Sequence, residues 1–351
     1  MKQFSREVRQ QAMHSKDRSI EQIWQEIQPY SRPISVGVHS YLPDGRPLKA
    51  GFATDLPSGS FKERGALTGM LEFHRRGYER AVAFSAGNHA AGFALGALVT
   101  GMRGRVYVPS YTPEVKVKNT LAIGEGRVEI VRVDGDIEDA HTEAAAYAKE
   151  HTAPMLKPSD LLVGYGQGTV AHELVTREPG IDHLLVPAGY GGLALGCIEA
   201  IKQAGFNTKV YGVKMSSERE LCEGAHVAEL SYAAKSVIAD NPDLWGGLLL
   251  VDPADVGAMI GLEDSVRSEG HEAMGGAANF DYPEATALLG AAAAHKYFDS
   301  LHGSIATLIT GSNADHTKLD TLYARYRAAN VSPGGSILRV ASGYQLRGTA
   351  A

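Results

Sequence analysis

The stretch "HLLVPAGYGGLALGCIEAIKQAG" (183–205) consists of a short apolar run, a glycine-rich segment and a longer, mostly apolar part. Its first five residues form a short apolar run, and its last part carries apolar residues at helical spacing. Between them stand Gly189, Gly191 and Gly192, which allow backbone conformations that other residues rarely adopt. The stretch therefore predicts a buried strand that leads through a tight turn into a helix.

The same order of strand and helix recurs along the chain. Each of four further apolar runs is followed by an amphipathic stretch: "AVAF" (81–84), "RVYVP" (105–109), "VEIVRV" (128–133) and "IATLIT" (305–310). Strands that alternate with helices through short connections are typical of a parallel sheet with helices on both faces. We therefore expect an α/β fold.

The composition limits the class of protein. A length of 351 residues exceeds the size at which a single core usually stops growing, which predicts two packed domains or one domain with an inserted subdomain. The charged fraction of 21% and the net charge of -6 are ordinary for a soluble protein and disfavour nucleic-acid and membrane partners. The two cysteines, Cys197 and Cys222, have no paired spacing that would indicate a disulfide framework or a thiolate metal site.

The first residues carry no sign of a targeting segment. The stretch "MKQFSREVRQQAMHSKDRS" (1–19) is polar and lacks the apolar core of a signal peptide. No apolar run in the sequence approaches the roughly 20 residues that a membrane-spanning helix needs. We therefore expect a cytoplasmic protein.

Loops that follow predicted strands are the places to look for chemistry. In parallel α/β sheets, ligands bind at the carboxyl ends of the strands. Four such loops carry glycines or polar residues: 85–89, 158–160, 188–193 and 310–313. These four loops are therefore the candidate places for chemistry.

The glycine-rich turn at 188–193 suits a phosphate group. Converging backbone N–H groups and the positive end of the following helix both favour an anion there. The turn is not a nucleotide-binding P-loop, since no Gly-Lys-Ser/Thr follows, and its glycine spacing differs from the dinucleotide fingerprint. Taken alone, it is explained as well by a tight turn that requires glycine.

A lysine stands in an unusual place in "SGSFKERGA" (58–66). Lys62 falls in the first turn of a predicted helix, where the helix dipole favours an acidic residue by a few tenths of a kcal/mol. Ser60 and Glu63 have the spacing of a capping box for that helix. By itself Lys62 would be taken for a solvated surface lysine, but the broken local preference also indicates a possible function.

Several motifs together resemble those of a known family. "SGSFKERGA" is similar to its lysine motif, "SAGNHAAGFA" (85–94) to its asparagine loop, "GQGTVAHEL" (166–174) to a helix of the same group and "VPAGYGGLALG" (186–196) to its phosphate loop. "TGSN" (310–313) matches again further on. The chain thus resembles the fold-type II pyridoxal-phosphate enzymes of the tryptophan synthase beta superfamily, and within them the threonine and serine dehydratases.

The resemblance implies an architecture as well as a cofactor. Its fold consists of two open, twisted, mostly parallel sheets flanked by helices, with the active site between two domains. On this chain the large domain would comprise 1–77 and 161–351, with an N-terminal helical extension at about 1–30, and the small domain would comprise 78–160. Relatives of this fold imply a homodimer, and the helix around "SIEQIWQEIQ" (19–28) is a candidate partner contact.

The resemblance makes Lys62 the catalytic residue, which would hold pyridoxal 5'-phosphate as a Schiff base. Its amine must be neutral for this chemistry, whereas a free lysine has a pKa of about 10.4. Burial and the helix N-terminus should lower that pKa. The unfavourable position of Lys62 is then explained by its function.

Other site residues are carried over from the resemblance by their motifs. The residues expected to bind the cofactor are Phe61, Lys62, Asn88 at the phenolic oxygen, Gly189, Tyr190, Gly191, Gly192 and Leu193 at the phosphate, and Thr310 at the pyridine nitrogen. The residues expected to line the substrate pocket are Ser85, Ala86, Gly87, His89 and Tyr190.

The reaction implied is α,β-elimination from a small β-hydroxy or β-substituted amino acid. It would pass through an aminoacrylate and give a 2-oxo acid and ammonia. A cysteine synthase-like transferase, which adds an external nucleophile to the same aminoacrylate, is the alternative. A relative that binds the cofactor but has lost the ordinary substrate is a third hypothesis.

Some residues depart from the dehydratase pattern. Tyr190 stands where a glycine is usual, which would strain the backbone if that position needs positive φ. Lys214 stands where metal-binding members have a glutamate, so we expect no divalent metal there. Ala86 replaces the serine base of racemizing relatives, which disfavours racemase activity. Glu284 is a candidate pocket residue in an altered motif, and the segment 231–279, with "NPDLWGG" as an expected loop, shows no clear pattern.

Overall fold

The computed structural model describes residues 18–85, 87–215, 230–252, 254–259 and 285–312. The strands are β1 Ser35–Tyr41, β2 Pro47–Phe52, β3 Arg80–Phe84, β4 Arg103–Pro109, β5 Val128–Val133, β6 Met155–Leu156, β7 His183–Pro187, β8 Lys209–Met215, β9 Trp245–Val251 and β10 Ile305–Ile309. The helices are α1 Ile20–Ile27, α2 Lys62–Arg75, α3 Asn88–Thr100, α4 Glu114–Gly124, α5 Ile137–Glu150, α6 Leu161–Arg177, α7 Gly192–Ala204, α8 Tyr232–Asp240 and α9 Leu289–Tyr297. Short 3-10 turns occupy Gln28–Tyr30, Pro242–Leu244 and Ala285–Leu288.

The larger sheet has six strands in the order β1-β2-β10-β7-β8-β9. Only the β1–β2 pair is antiparallel. Strand β10 comes last in the chain but lies between β2 and β7, where Thr307 pairs with Ala50 on one side and Leu185 on the other. The loop after β10 is therefore delivered to the middle of the sheet, next to the segment that follows β2.

The smaller sheet has four parallel strands in the order β5-β4-β3-β6. All four lie between residues 80 and 156, whereas the six strands of the larger sheet come before or after them. The predicted α/β fold with two mostly parallel sheets flanked by helices is confirmed. The division into domains at 78 and 160 stays a prediction.

Apolar runs became strands because both faces of each sheet are covered by helices. All five residues of β10 are buried, as expected for a central parallel strand. On one face of the larger sheet α6 and α7 pack, with Leu174 and Leu195 in the core, and on the other face α9 packs with Leu289. These layers fix the carboxyl ends of the strands relative to the helices that start there.

The expectation of a loop at "NPDLWGG" (241–247) is wrong at its end, because β9 begins at Trp245. Its glycine is explained by packing: a Cβ on Gly246 would lie 2.3 Å from the ring of Tyr211 on β8. The glycine thus gives the aromatic ring room to lie over the strand. Residues 260–279 of the same segment lie outside the described residues.

Helix α1 forms as predicted, with Ser19 and Gln22 as its capping box. Its apolar residues Ile20, Ile23 and Ile27 are fully buried within this chain. Only the polar face of this helix is left for the expected partner contact, which stays a prediction. In the described part of the chain, no helix is long and apolar enough to cross a membrane, and the cytoplasmic location stays a prediction.

Candidate active site

Lys62 is the first residue of helix α2, as the sequence predicts. Its side chain is half-buried, and its Nζ lies 4.8 Å from the centre of the Phe61 ring. Burial disfavours the charged amine and lowers the pKa of Lys62 from 10.5 to about 8. The expected direction of this shift is confirmed, and a fraction of the amine is neutral at physiological pH.

The predicted capping box at the start of α2 is wrong. Phe61 is the N-cap, and no side chain caps the helix. Glu63 is instead buried and accepts hydrogen bonds from Ser58 N at 2.6 Å and from the Ser31 hydroxyl. The Ser60 hydroxyl is also fully buried but has no hydrogen-bond partner among the described residues. A buried polar group beside Lys62 is thus left available to a ligand.

The residues that follow β10 are hydrogen-bonded to the segment 59–61, which leads into Lys62. Phe61 N donates to Thr310 O at 3.0 Å, and Ser312 N donates to Gly59 O at 2.9 Å. Ser60 and Gly311 form an isolated antiparallel bridge between these two bonds. Thr310, which is buried, therefore lies directly beside the segment that carries Lys62.

The loop after β3 leads into helix α3 beside Lys62. Gly87 N donates to the Ser85 hydroxyl at 3.1 Å, and the helix begins at Asn88. A Cβ on Gly92 would lie 3.0 Å from Glu63 N and 3.1 Å from Lys62 C, so only glycine lets α3 lie directly on the start of α2. This contact brings the asparagine loop to the lysine. Ala86 lies outside the described residues.

His89 is buried and neutral. Its Nε2 lies 3.1 Å from Leu156 O, and because a carbonyl only accepts, this nitrogen carries the proton. Its Nδ1 is buried without a hydrogen-bond partner among the described residues. Burial, together with the charge of Lys62, lowers the pKa of His89 to about 4. His89 therefore joins the asparagine loop to the end of β6 and carries no charge at neutral pH.

The glycine-rich turn after β7 opens helix α7. Gly191 has a φ of 84°, and Gly192 is the first residue of the helix. Tyr190 does not have positive φ, so the strain considered for it is absent, and its side chain is 41% exposed. A Cβ on Gly189 would meet no atom within 4 Å, which leaves open space next to the backbone. Leu193 points into the core, so only its backbone can reach a ligand at this turn.

The loop after β6 connects the glycine turn with the asparagine loop. Pro158 O lies 2.7 Å from the position that a Cβ on Gly192 would take, and Leu156 O accepts from His89. Asp160 in the same loop has its pKa raised to about 6 by burial, despite the nearby Lys157. The loop at 158–160 therefore contacts the turn at 188–193, and the strand β6 just before it contacts the asparagine loop.

The glycines of "GQGTVAHEL" serve helix packing. A Cβ on Gly166 would lie 2.3 Å from the Thr68 hydroxyl on α2, and one on Gly168 would lie 2.3 Å from Gly196 O on α7. Helix α6 is thereby packed closely against both helices that start at the site. Sequence reasoning missed Gln167 between them, which is fully buried with its Oε1 unpaired among the described residues.

Sequence reasoning also missed a buried ion pair near Lys62. Arg64 is fully buried, and its Nη2 lies 2.8 Å from Glu173 Oε1 on α6. The same guanidinium donates to Thr169 Oγ1 at 3.1 Å and lies 4.0 Å from the centre of the Trp24 ring. The pair fixes the first turn of α2 on α6. The sequence carries no local signal for the pair, because its two members are 109 residues apart.

The chain belongs to the family of pyridoxal-phosphate dependent enzymes, whose family model matches residues 53–267. An L-threonine ammonia-lyase of Thermotoga maritima is 30% identical over 276 residues, which make up 76% of this chain and 67% of the relative. The biosynthetic, chloroplastic threonine dehydratase 2 of Solanum lycopersicum is 28% identical over 280 residues, 74% of this chain and 44% of the relative. This chain thus matches less than half of the tomato enzyme's length.

Solved structures show the same fold. The processed form of threonine deaminase isoform 2 from Solanum lycopersicum has a TM-score of 0.72 at 23% identity, covering 91% of this chain and 93% of that one. Maize serine racemase also has a TM-score of 0.72 at 23% identity, with coverages of 88% and 97%. At these identities the structures establish the fold alone. The fold is that of the fold-type II pyridoxal-phosphate enzymes, and the sequence relatives indicate a lyase.

The residues at the site fit pyridoxal 5'-phosphate. The turn at Gly189–Gly192 combines open space, a positive φ and a helix N-terminus, which suit a phosphate group. Lys62, with its lowered pKa, suits an aldehyde, and the unpaired Ser60 hydroxyl offers a further polar contact. The start of α2 and the glycine turn both pack against Gln167 of α6, since a Cβ on Gly65 would lie 2.9 Å from its Cγ and one on Gly192 would lie 3.1 Å from its Oε1.

The expectation of no metal at Lys214 stays a prediction. Lys214 is 8% exposed near the end of β8, and the residues that follow the strand, 216–229, lie outside the described residues, as does Glu284. Within the described ranges, no group of three histidine, cysteine or acidic side chains is arranged to hold a metal ion.

Proposed function

We propose that this protein catalyses α,β-elimination on a small β-hydroxy or β-substituted α-amino acid, releasing a 2-oxo acid and ammonia. The observation that carries the proposal is the convergence on Lys62: Phe61 N bonds to Thr310 O, and the helix of the asparagine loop packs on the first residues of α2. The threonine ammonia-lyase relatives support elimination as the reaction.

When bound, pyridoxal 5'-phosphate supplies an electron sink for the negative charge that forms at the substrate's α-carbon. Lys62 takes the α-proton, because burial keeps part of its amine neutral and able to accept it. The backbone of the glycine turn would hold the phosphate. Thr310, which is buried, would offer a neutral hydroxyl to the pyridine nitrogen, and such a group weakens the electron sink relative to an acidic residue and favours elimination over transamination.

Ammonia release tests this proposal directly. The purified protein, loaded with the cofactor, is mixed with threonine, serine, hydroxyaspartate and other β-substituted amino acids, and ammonia and 2-oxo acid are measured. We expect equal amounts of both from at least one substrate, and no release from Lys62→Ala. Lys118→Ala, which removes an exposed lysine of α4, is the matched control and should retain activity. Activity in Lys62→Ala equal to that of the wild type would refute the role of Lys62.

The β-replacement alternative is distinguished in the same assay. A transferase would release little ammonia until an external nucleophile such as sulfide is added, and would then form a new β-substituted amino acid. An eliminating enzyme needs no such addition. A requirement for the nucleophile would therefore replace our proposal with the transferase.

We further propose that residues 78–160 form a small domain that closes on the remainder, and that the protein is a cytoplasmic homodimer. The separate four-stranded sheet supports the small domain. Light scattering of the protein as it elutes from a size-exclusion column would measure its mass in solution. A mass near that of one 37.4 kDa chain would refute the dimer.

A further inference from the structure

A second lysine stands in the first turn of a helix near the site. Lys116 is the third residue of α4, which begins at Glu114, so the helix dipole again opposes the charge. Its Nζ lies 4.0 Å from the position that a Cβ on Gly87 would take. The side chain is half-buried and points at the asparagine loop.

The charge of Lys116 is not neutralised by the surrounding protein. Glu114, the acidic residue of the same turn, is paired with Arg132 at 2.6 Å. Over the described ranges Lys116 forms no ion pair of its own. A half-buried cation that faces a loop and has no acidic partner is suited to bind a ligand that carries a negative charge.

The asparagine loop offers hydrogen-bond donors but no full charge. Gly87 N already donates to the Ser85 hydroxyl. His89 uses its Nε2 proton on Leu156 O, and its Nδ1 is an unpaired acceptor that would repel a carboxylate. The described residues of this loop therefore cannot neutralise a carboxylate, although they can bond to one.

We propose that Lys116 is the cationic partner of the substrate's carboxylate. The inference rests on the proposed function, because it takes the substrate to be an α-amino acid bound at the loop 85–89. Lys116 supplies the positive charge that the loop lacks, and the substrate carboxylate supplies the negative partner that Lys116 lacks. The lysine is then a specificity-determining residue, which favours free amino acids over their amides.

Binding of glycine against glycinamide tests the inference without relying on elimination, since neither compound has a β-substituent. The holoenzyme is titrated with each, and binding is followed by the absorbance and fluorescence of the cofactor. In Lys116→Met we expect glycine to bind about 10- to 100-fold more weakly, because a half-buried charge partner is lost, and glycinamide to bind as in the wild type. Lys116→Arg should recover part of the glycine affinity.

The matched control is Lys118→Met, because Lys118 is exposed on the same helix two residues further on. It should leave both affinities unchanged. Unchanged glycine affinity in Lys116→Met, or an equal loss for glycine and glycinamide, would overturn the inference. A protein that binds glycine in this way but releases no ammonia from any β-substituted amino acid would refute the proposed function and leave the role of Lys116 standing.

Discussion

Single residues at this site break local rules, and the structure gives the reason. Lys62 stands at the positive end of α2, where burial also lowers its pKa to about 8. A surface lysine at a helix C-terminus would instead keep its charge and be stabilised by the dipole. The position of Lys62 thus lowers the stability of the first helical turn and at the same time makes its amine more reactive.

The lowered pKa of Lys62 predicts how fast the apoprotein takes up pyridoxal 5'-phosphate at each pH. Only the neutral amine attacks an aldehyde, so the rate should rise with pH and level off above a midpoint near 8. The measurement is the growth of cofactor absorbance after mixing, from pH 7 to 10, with Lys62→Ala as the blank. A rate that still rises tenfold for each pH unit up to 10 would show an ordinary lysine pKa and contradict the prediction.

At the scale of elements, glycines decide how closely the helices approach. Gly92 brings α3 onto the start of α2, and Gly168 brings α6 onto Gly196 of α7. In both cases the nearest atoms belong to the backbone of the partner helix, which cannot move aside as a flexible side chain can. The positions of the loops at the site therefore depend on these contacts.

Gly92→Ala should separate α3 from the lysine-bearing turn. The new Cβ would lie 3.0 Å from Glu63 N, so we expect the free energy of unfolding to fall by about 1–3 kcal/mol, as for overpacking, and cofactor uptake to slow. Urea unfolding measures the first effect. The control is Gly37→Ala, where a Cβ meets no atom within 4 Å. Equal free energies of unfolding for the two variants would contradict the close contact between α2 and α3 at Gly92.

At the scale of the whole molecule, the site draws on both sheets. The loop at 85–89 follows β3 of the smaller sheet, while the turn at 188–193 and Thr310 follow β7 and β10 of the larger one. A ligand held by loops from both sheets links the two parts of the molecule. Its binding to the folded state should stabilise the whole fold.

Removal of the cofactor should therefore lower the melting temperature of the protein. With the cofactor at about 100 times its dissociation constant, the expected stabilisation is about 2.7 kcal/mol. Calorimetry of the holoprotein, the apoprotein and the apoprotein with inorganic phosphate measures the effect, and phosphate alone should recover only part of it. Identical melting temperatures for holoprotein and apoprotein would contradict a site shared by the two sheets.

The sequence predicts which segments form the candidate site better than it predicts the tertiary contacts that surround them. The strand-turn-helix pattern at 183–205 and the start of α2 at Lys62 follow from periodicity and glycine placement, which are local properties. The partners of Glu63 do not, because Ser31 is brought to it by the fold and Ser58 donates its backbone N–H, whereas a capping box with Ser60 was the simpler local interpretation. The strand at Trp245 was missed because its glycine is required by the Tyr211 ring of a neighbouring strand.

The sequence by itself determined the α/β class, the order of the motifs and the position of Lys62 in the first turn of a helix, because hydrophobic period, glycine turns and motif spacing are carried by contiguous residues. Only the tertiary structure decided that β10 inserts beside β2 to bring Thr310 to Phe61, and that Lys116 faces Gly87. These contacts join residues far apart in the chain. Their geometry depends on how sheets and helices pack, which local patterns do not specify.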